Sequence, residues 1–281
     1  MTVPVKYAFA VVVTSLDGRF DTKTVLVKAM GAGSVQLYVN STYTRFNPKA
    51  KLIVGGHLLA PYPVTSTWTV LTPLGVLLPY DALTSKQSNF TFTGTEGYVS
   101  FPLGLQGGVF TSGSSYSFRL TAYPVGNPTL ATYSEITLKA NLAPTGGYLL
   151  SVPSSGSALV TKFLLTTPGW TSTADSLPLK YSFSYTVSKL LSKYLTIASP
   201  SLKAYTTSTL PPGLSALNSM VTLRSKATDL FSSSATATID VSVTLDQSTD
   251  LTQVLNSSIT DALAVGNINQ IFQAVNNVSF V

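Results

Sequence analysis

Residues 116–140, YSFRLTAYPVGNPTLATYSEITLKA, decide how this chain folds. Tyr116, Phe118, Leu120 and Ala122 alternate with Ser117, Arg119, Thr121 and Tyr123, the period of two that marks a half-buried antiparallel strand. A polar turn and a second alternating strand follow. The same two-strand pattern stands at 7–29 (YAFAVVVTSLDGRFDTKTVLVKA) and at 219–245 (SMVTLRSKATDLFSSSATATIDVSVTL). In the last copy Ala235, Ala237, Ile239, Val241, Val243 and Leu245 share one face, while Thr236, Thr238, Asp240, Ser242 and Thr244 share the other. The copies recur at roughly 105 residues, about the size of one immunoglobulin-like or fibronectin type III-like sandwich, and each reads as a closing hairpin.

The fold class is therefore all-β, with tandem β-sandwiches. Residues 1–29 read as the closing hairpin of a preceding sandwich, 30–140 as a first sandwich and 141–245 as a second. Strands are predicted near 35–39, 51–54, 65–70, 91–101, 116–123 and 133–140, with loops at Leu58–Tyr62 and Gln106–Gly108. In the second sandwich Tyr181, Phe183 and Tyr185 are expected to point inward and to be buried together with Trp170. Trp68 is the core landmark of the first. After Leu245 the period changes. Leu251, Val254, Leu255, Ile259 and Leu263 follow helical spacing up to Gly266, and a second helix is predicted around Ile268–Val275, so 246–281 is read as a short helical tail. An isolated hairpin is marginal in water, so residues 1–29 are expected to complete a sandwich with other chain or to pair with a neighbour; a hairpin bare on both faces would count against this.

Composition fits such a stack. Charged residues are 10%, and Ser with Thr make up roughly a quarter of the chain, so hydroxyls carry the surface polarity, as in secreted or cell-surface arrays. The net charge of +6 is scattered, its densest group being Arg45, Lys49 and Lys51, and lacks the clustered cations and interleaved aromatics of a nucleic-acid surface. No run of about 18 apolar residues is present to span a bilayer. With no cysteine, disulfides, thiolate metal sites and thiol catalysis are excluded.

No catalytic, cofactor or metal site is expected. His57 is the one histidine, so a Ser-His-Asp arrangement has no spare base, and it reads as an ordinary surface or loop residue. The 11 carboxylates stand mostly at turns; Asp246 with Asp250 is the pair best placed for a cation at a domain joint. Four sequons, at Asn40, Asn89, Asn256 and Asn277, are glycosylation candidates. Their number is what a Ser/Thr-rich chain gives by chance, and the exposed settings expected of Asn40 and Asn89 say more than the count.

The segment NLAPTGGYLLSVPSSGSALVTKFLLTTPGW (141–170), then LPLKYSFSY (177–185), LPPG (210–213), an acidic turn at Asp229 and a final strand resemble the receptor for egg jelly (REJ) module of polycystin-like and other ciliary or cell-surface proteins. The tail LNSSITDALAVGNINQIFQAV resembles the segment that follows that module. In place of the cysteine often found before the Gly-Trp pair, this chain has Thr166 and Thr167. The resemblance implies an extracellular structural and adhesive region and implies nothing about a catalytic centre; from the residues themselves the chain is not expected to be an enzyme. Its implied partners are other domains of the same long chain and proteins of the cell or ciliary surface, a polycystin-type channel among them. A subunit of an extracellular filament such as a flagellar hair, or a force- or ligand-sensing ectodomain, are the alternatives.

Overall fold

A computed structural model of the chain describes residues 6–18, 20–28, 34–42, 44–77, 89–94, 97–188, 193–246 and 251–264. Three antiparallel hairpins stand where the repeat predicts them. They are β1 (Lys6–Thr14) with β2 (Phe20–Lys28), β10 (Ser115–Pro124) with β11 (Thr132–Ala140), and β18 (Met220–Thr228) with β19 (Ser234–Thr244). Between them lie β3 (Gln36–Asn40), β4 (Arg45–Phe46), β5 (Leu52–Ala60), β6 (Val64–Leu71), β7 (Asn89–Phe92), β8 (Gly97–Ser100) and β9 (Leu103–Leu105). The remaining strands are β12 (Leu150–Val152), β13 (Ser155–Ser157), β14 (Phe163–Thr166), β15 (Lys180–Thr186), β16 (Leu195–Ser201) and β17 (Tyr205–Ser208). Helix α1 spans Leu251–Ala264; the second helix predicted from Asn267 onward lies outside the described residues.

Two compact units result. The first comprises 1–44, 50–109 and 114–139; the second comprises 140–281 together with 45–49 and 110–113, which the sequence reading places within 30–140. In the first unit one sheet runs β11-β10-β6-β7, and the other runs β3-β5-β8, with β9 also paired to β5. The long strands of both sheets alternate. In β6, Val64, Ser66, Trp68 and Val70 are buried; in β10, Tyr116, Phe118, Leu120 and Ala122 are; in β5, Leu52, Val54, Leu58 and Ala60 are. Two inward faces of this kind can be buried against each other, which is why the period of two folds as a sandwich. Trp68 is fully enclosed and donates its indole N–H to the Phe101 carbonyl at 2.8 Å. Leu58–Ala60, expected as loop because of the prolines beside it, belongs to β5, since burial of Leu58 and Ala60 favours strand up to Pro61.

The second unit pairs a three-stranded sheet, β12-β14-β17, with a five-stranded one, β13-β19-β18-β15-β16, in which β13 joins β19 in parallel. Phe163 and Leu165 from the smaller sheet meet Phe183, Tyr185, Val221, Leu223, Val241 and Val243 from the larger. Burial pushes the Tyr185 phenol above its ordinary value. Tyr181 packs at the margin of this core. The expectation that Trp170 is buried with the Tyr181 face is corrected: Trp170 is half-buried, outside the cluster, with its ring laid on Gly147 and its N–H donated to Thr167 Oγ1 at 2.7 Å. A Cβ at Gly147 would fall 1.9 Å from the Trp170 ring, so the absence of a side chain there gives the indole its seat.

The β1–β2 hairpin is regular over nine pairs, yet Tyr7, Phe9, Val11 and Val13 on one face and Val12 and Phe20 on the other are all exposed. The sequence reading expects a cover here, and the described side chains of the hairpin are exposed on both faces.

Candidate functional site

Polar chemistry in the second unit converges on Asp229, at the turn between β18 and β19. Its Oδ1 accepts the backbone N–H of Phe231 (3.0 Å) and of Ser233 (2.9 Å), the arrangement by which a carboxylate closes a tight turn. Its Oδ2 accepts a hydrogen bond from Asn141 Nδ2 at 2.6 Å. Asn141 in turn accepts at Oδ1 from Ser176 Oγ (3.2 Å) and from the Arg45 guanidinium (3.4 Å), while Arg45 also pairs with Asp175 and lies 5.8 Å from the centroid of the Phe231 ring. Burial raises the Asp229 carboxyl above its ordinary value, and the three hydrogen bonds pull it back. Both Asp229 oxygens and the Asn141 oxygen hold donors, so the cluster fastens loops together and commits the Asp229 carboxylate to that task. Beside it a cleft of about 70 Å³ is lined by Asn47, Lys49, Asn141 and Ser233, among others, and the buried Ser233 hydroxyl has no protein partner.

In the first unit the outward residues of the β3-β5-β8 sheet carry the second notable group. Register places Tyr38 opposite His57, and Tyr98 opposite Leu59 one step along. The His57 ring is stacked between the two tyrosines, 6.1 Å from the Tyr38 centroid and 5.7 Å from that of Tyr98, and shares a 2.5 Å hydrogen bond through Nδ1 with the Tyr98 hydroxyl. Tyr38 is 61% exposed and Tyr98 66%. Of the surface or loop setting expected for His57, the structure shows the surface one: the residue stands on the outward face of β5, in an aromatic row.

The remaining sequence candidates fall as follows. Asn40 ends β3, half-buried and on the same outward face as Tyr38; Asn89 begins β7; Asn256 is exposed on α1; Asn277 lies outside the described residues. Asp246 is exposed, while Asp250 also falls outside the described residues. Among the described residues no three His, Cys, Asp or Glu side chains gather as metal ligands, and no helix is long and apolar enough to cross a membrane.

Comparison with known families matches the REJ domain over residues 1–277. The chain belongs to the REJ domain family. No curated protein matches it. Among solved structures it is similar to the E. coli chaperone DraB, at 14% identity over 73% of this chain and 96% of that one, with a TM-score of 0.29. It is also similar to a structure described as concerning host cell surface retention of a 1.5-MDa bacterial ice-binding adhesin, at 12% identity over 86% of this chain and 75% of that one, with a TM-score of 0.39. At these identities and scores neither likeness bears on what the REJ chain does. Sequence reading found the Asp229 turn but missed Asn141 and the Tyr38–His57–Tyr98 row. The signal for the row lies in the outward slot that His57 takes between the inward Leu52, Val54 and Leu58, and it becomes legible once strand register is fixed.

Proposed function

We propose that this REJ chain is a non-catalytic structural and adhesive region of an extracellular protein, working through the outer faces of its sandwiches. The observation that carries this is the character of those faces: few charges, many hydroxyls and large exposed rings, with Tyr133, Tyr148 and Tyr205 each more than half exposed. Tyrosine combines apolar contact area with a polar tip, the chemistry that protein interfaces favour over lysine and glutamate. Family membership supports the extracellular setting. A ciliary or flagellar surface, with a polycystin-type channel among the partners, is the finer form of this reading and follows the resemblance of the 141–213 landmarks. The bare β1–β2 hairpin favours the second reading, a filament subunit, because unpaired strand edges and uncovered apolar faces recruit neighbouring chains.

Beads coated with the chain test both. Adhesion predicts bead-to-bead or bead-to-cell attachment that falls when Tyr133 and Tyr205 become serine; filament formation predicts concentration-dependent association in sedimentation that falls when Phe9 and Val11 become lysine. Attachment and sedimentation both indifferent to these changes would defeat the reading.

A further inference from the structure

We propose that Asn40 carries an N-linked glycan whose first sugars lie back on the Tyr38–His57–Tyr98 row, so that this sheet face is closed by the chain's own carbohydrate. The inference rests on the extracellular reading above, which supplies the glycosylation machinery. Asn40-Ser41-Thr42 is a complete sequon, with Thr42 exposed and Asn40 at the last position of β3, where the chain leaves the sheet. Tyr38 precedes Asn40 by two residues, and at about 3.3 Å per residue the two side chains rise from one face roughly 7 Å apart, within reach of the first sugar.

Three further observations place the sugar. Gly55 lies opposite Asn40 in the register, and a Cβ there would fall 1.9 Å from Asn40 Oδ1, so the carboxamide rests on bare backbone at the foot of the aromatic row. His57 takes one face of Tyr38, while β3 is the edge strand of its sheet, so no neighbouring strand stands against the other face. The face is nonetheless well exposed for so apolar a group, with Leu59 beside the two tyrosines 40% exposed. A pyranose presents an apolar face of C–H bonds with slight positive charge, complementary to the negative face of an aromatic ring. Sugar laid there would also cover the open edge of β3, the kind of edge that otherwise recruits another strand. Adhesive contact would then fall to the other sandwich faces.

The test expresses the full chain in a secreting eukaryotic host and reads Asn40 occupancy by glycopeptide mass spectrometry and the sugar protons by NMR with ¹³C-labelled glycan. Expected are an occupied Asn40, upfield ring-current shifts of the innermost sugar's protons, loss of those shifts in Tyr38→Ala with Asn40 still occupied, and a thermal midpoint that drops on enzymatic deglycosylation of the wild type but not of the Tyr38→Ala/Tyr98→Ala protein. A folded, secreted chain with Asn40 bare, or with a glycan whose shifts and stabilising effect ignore Tyr38 and Tyr98, overturns the inference and leaves the extracellular reading standing. A chain that folds in the cytosol but is rejected by the secretory pathway counts against that reading, and this inference falls with it.

Discussion

Asn141 reaches across 88 residues of sequence to donate a 2.6 Å hydrogen bond from Nδ2 to Asp229 Oδ2. Both side chains are buried, and the pair ties the start of the second unit's continuous chain to the turn of its last hairpin. The polarity of the pair is testable by exchange. Asp229→Asn alone sets two amide groups against each other, and Asn141→Asp alone sets two carboxylates together; each should cost about 1–3 kcal/mol. In the double exchange the carboxylate, now at position 141, would accept from the amide at position 229, from Ser176 and from Arg45, and would lose only the bond that Asn141 Nδ2 donates to the Leu142 carbonyl (3.1 Å), while the amide oxygen at position 229 would keep the two backbone donors. Urea unfolding should therefore show a restoring coupling of roughly 0.5–3 kcal/mol. Additive losses would mean that the bond is incidental.

Asp229 also leaves a mark on the pH profile. Its folded-state pKa is raised, chiefly by burial, so the native state holds the proton more tightly than the unfolded chain does. Its contribution is then complete below the unfolded carboxyl's value of about 3.9 and declines as pH climbs through the folded value. Asp229→Asn has no such decline. The stability deficit of that variant relative to wild type should shrink as pH rises from 4 toward neutrality, and a deficit that grows would reverse the sign of the burial effect.

What was legible in the sequence follows the same physics. Alternation exposed all three hairpins, because a strand's two faces are written in consecutive residues. Trp68 was legible for a similar reason: it lies among alternating apolar neighbours in β6. Trp170 was not, since it sits after β14 and its place is set by a bare backbone at Gly147, more than twenty residues earlier. The His57 row and the Asn141–Asp229 bond depend on register and on contact between distant loops, which composition and period do not encode.

The seat of Trp170 gives a second stability test. Gly147→Ala places a Cβ against the indole and should destabilise by about 1–3 kcal/mol, the usual cost of overpacking. Trp170→Ala, with the ring half-buried, should cost less than the roughly 3–5 kcal/mol of a fully buried tryptophan. With the indole gone, Gly147→Ala should become nearly neutral. Thermal melts of the two single variants and the double variant decide, and a cost of Gly147→Ala that persists without the indole would place the strain in the backbone instead.

Tyr185 predicts alkaline behaviour. Burial raises its phenol, so ionisation is resisted in the native state while the unfolded chain ionises near pH 10. Stability supported by the neutral phenol is full below that pH and is lost above it. Tyr185→Phe should make the fall between pH 10 and 11 shallower, by up to about 1.4 kcal/mol per pH unit. Equal slopes in the two proteins would show that the ring ionises without unfolding.

The N-terminal hairpin and its buried counterpart offer an internal control, because Tyr7-Phe9-Val11 and Tyr116-Phe118-Leu120 occupy matching positions in β1 and β10. Phe118 is wholly buried, whereas Phe9 is 58% exposed. Phe118→Ala should thus cost about 3–5 kcal/mol through lost burial and the cavity left behind. Phe9→Ala, on a bare face, should stay within about 0.5 kcal/mol in dilute solution. If another chain covers this face, the penalty of Phe9→Ala should appear only as protein concentration rises, since ligation stabilises by mass action. Denaturant melts at two concentrations about a hundredfold apart separate the cases. A large penalty for Phe9→Ala that is the same at both concentrations would mean that the hairpin is already covered within its own chain.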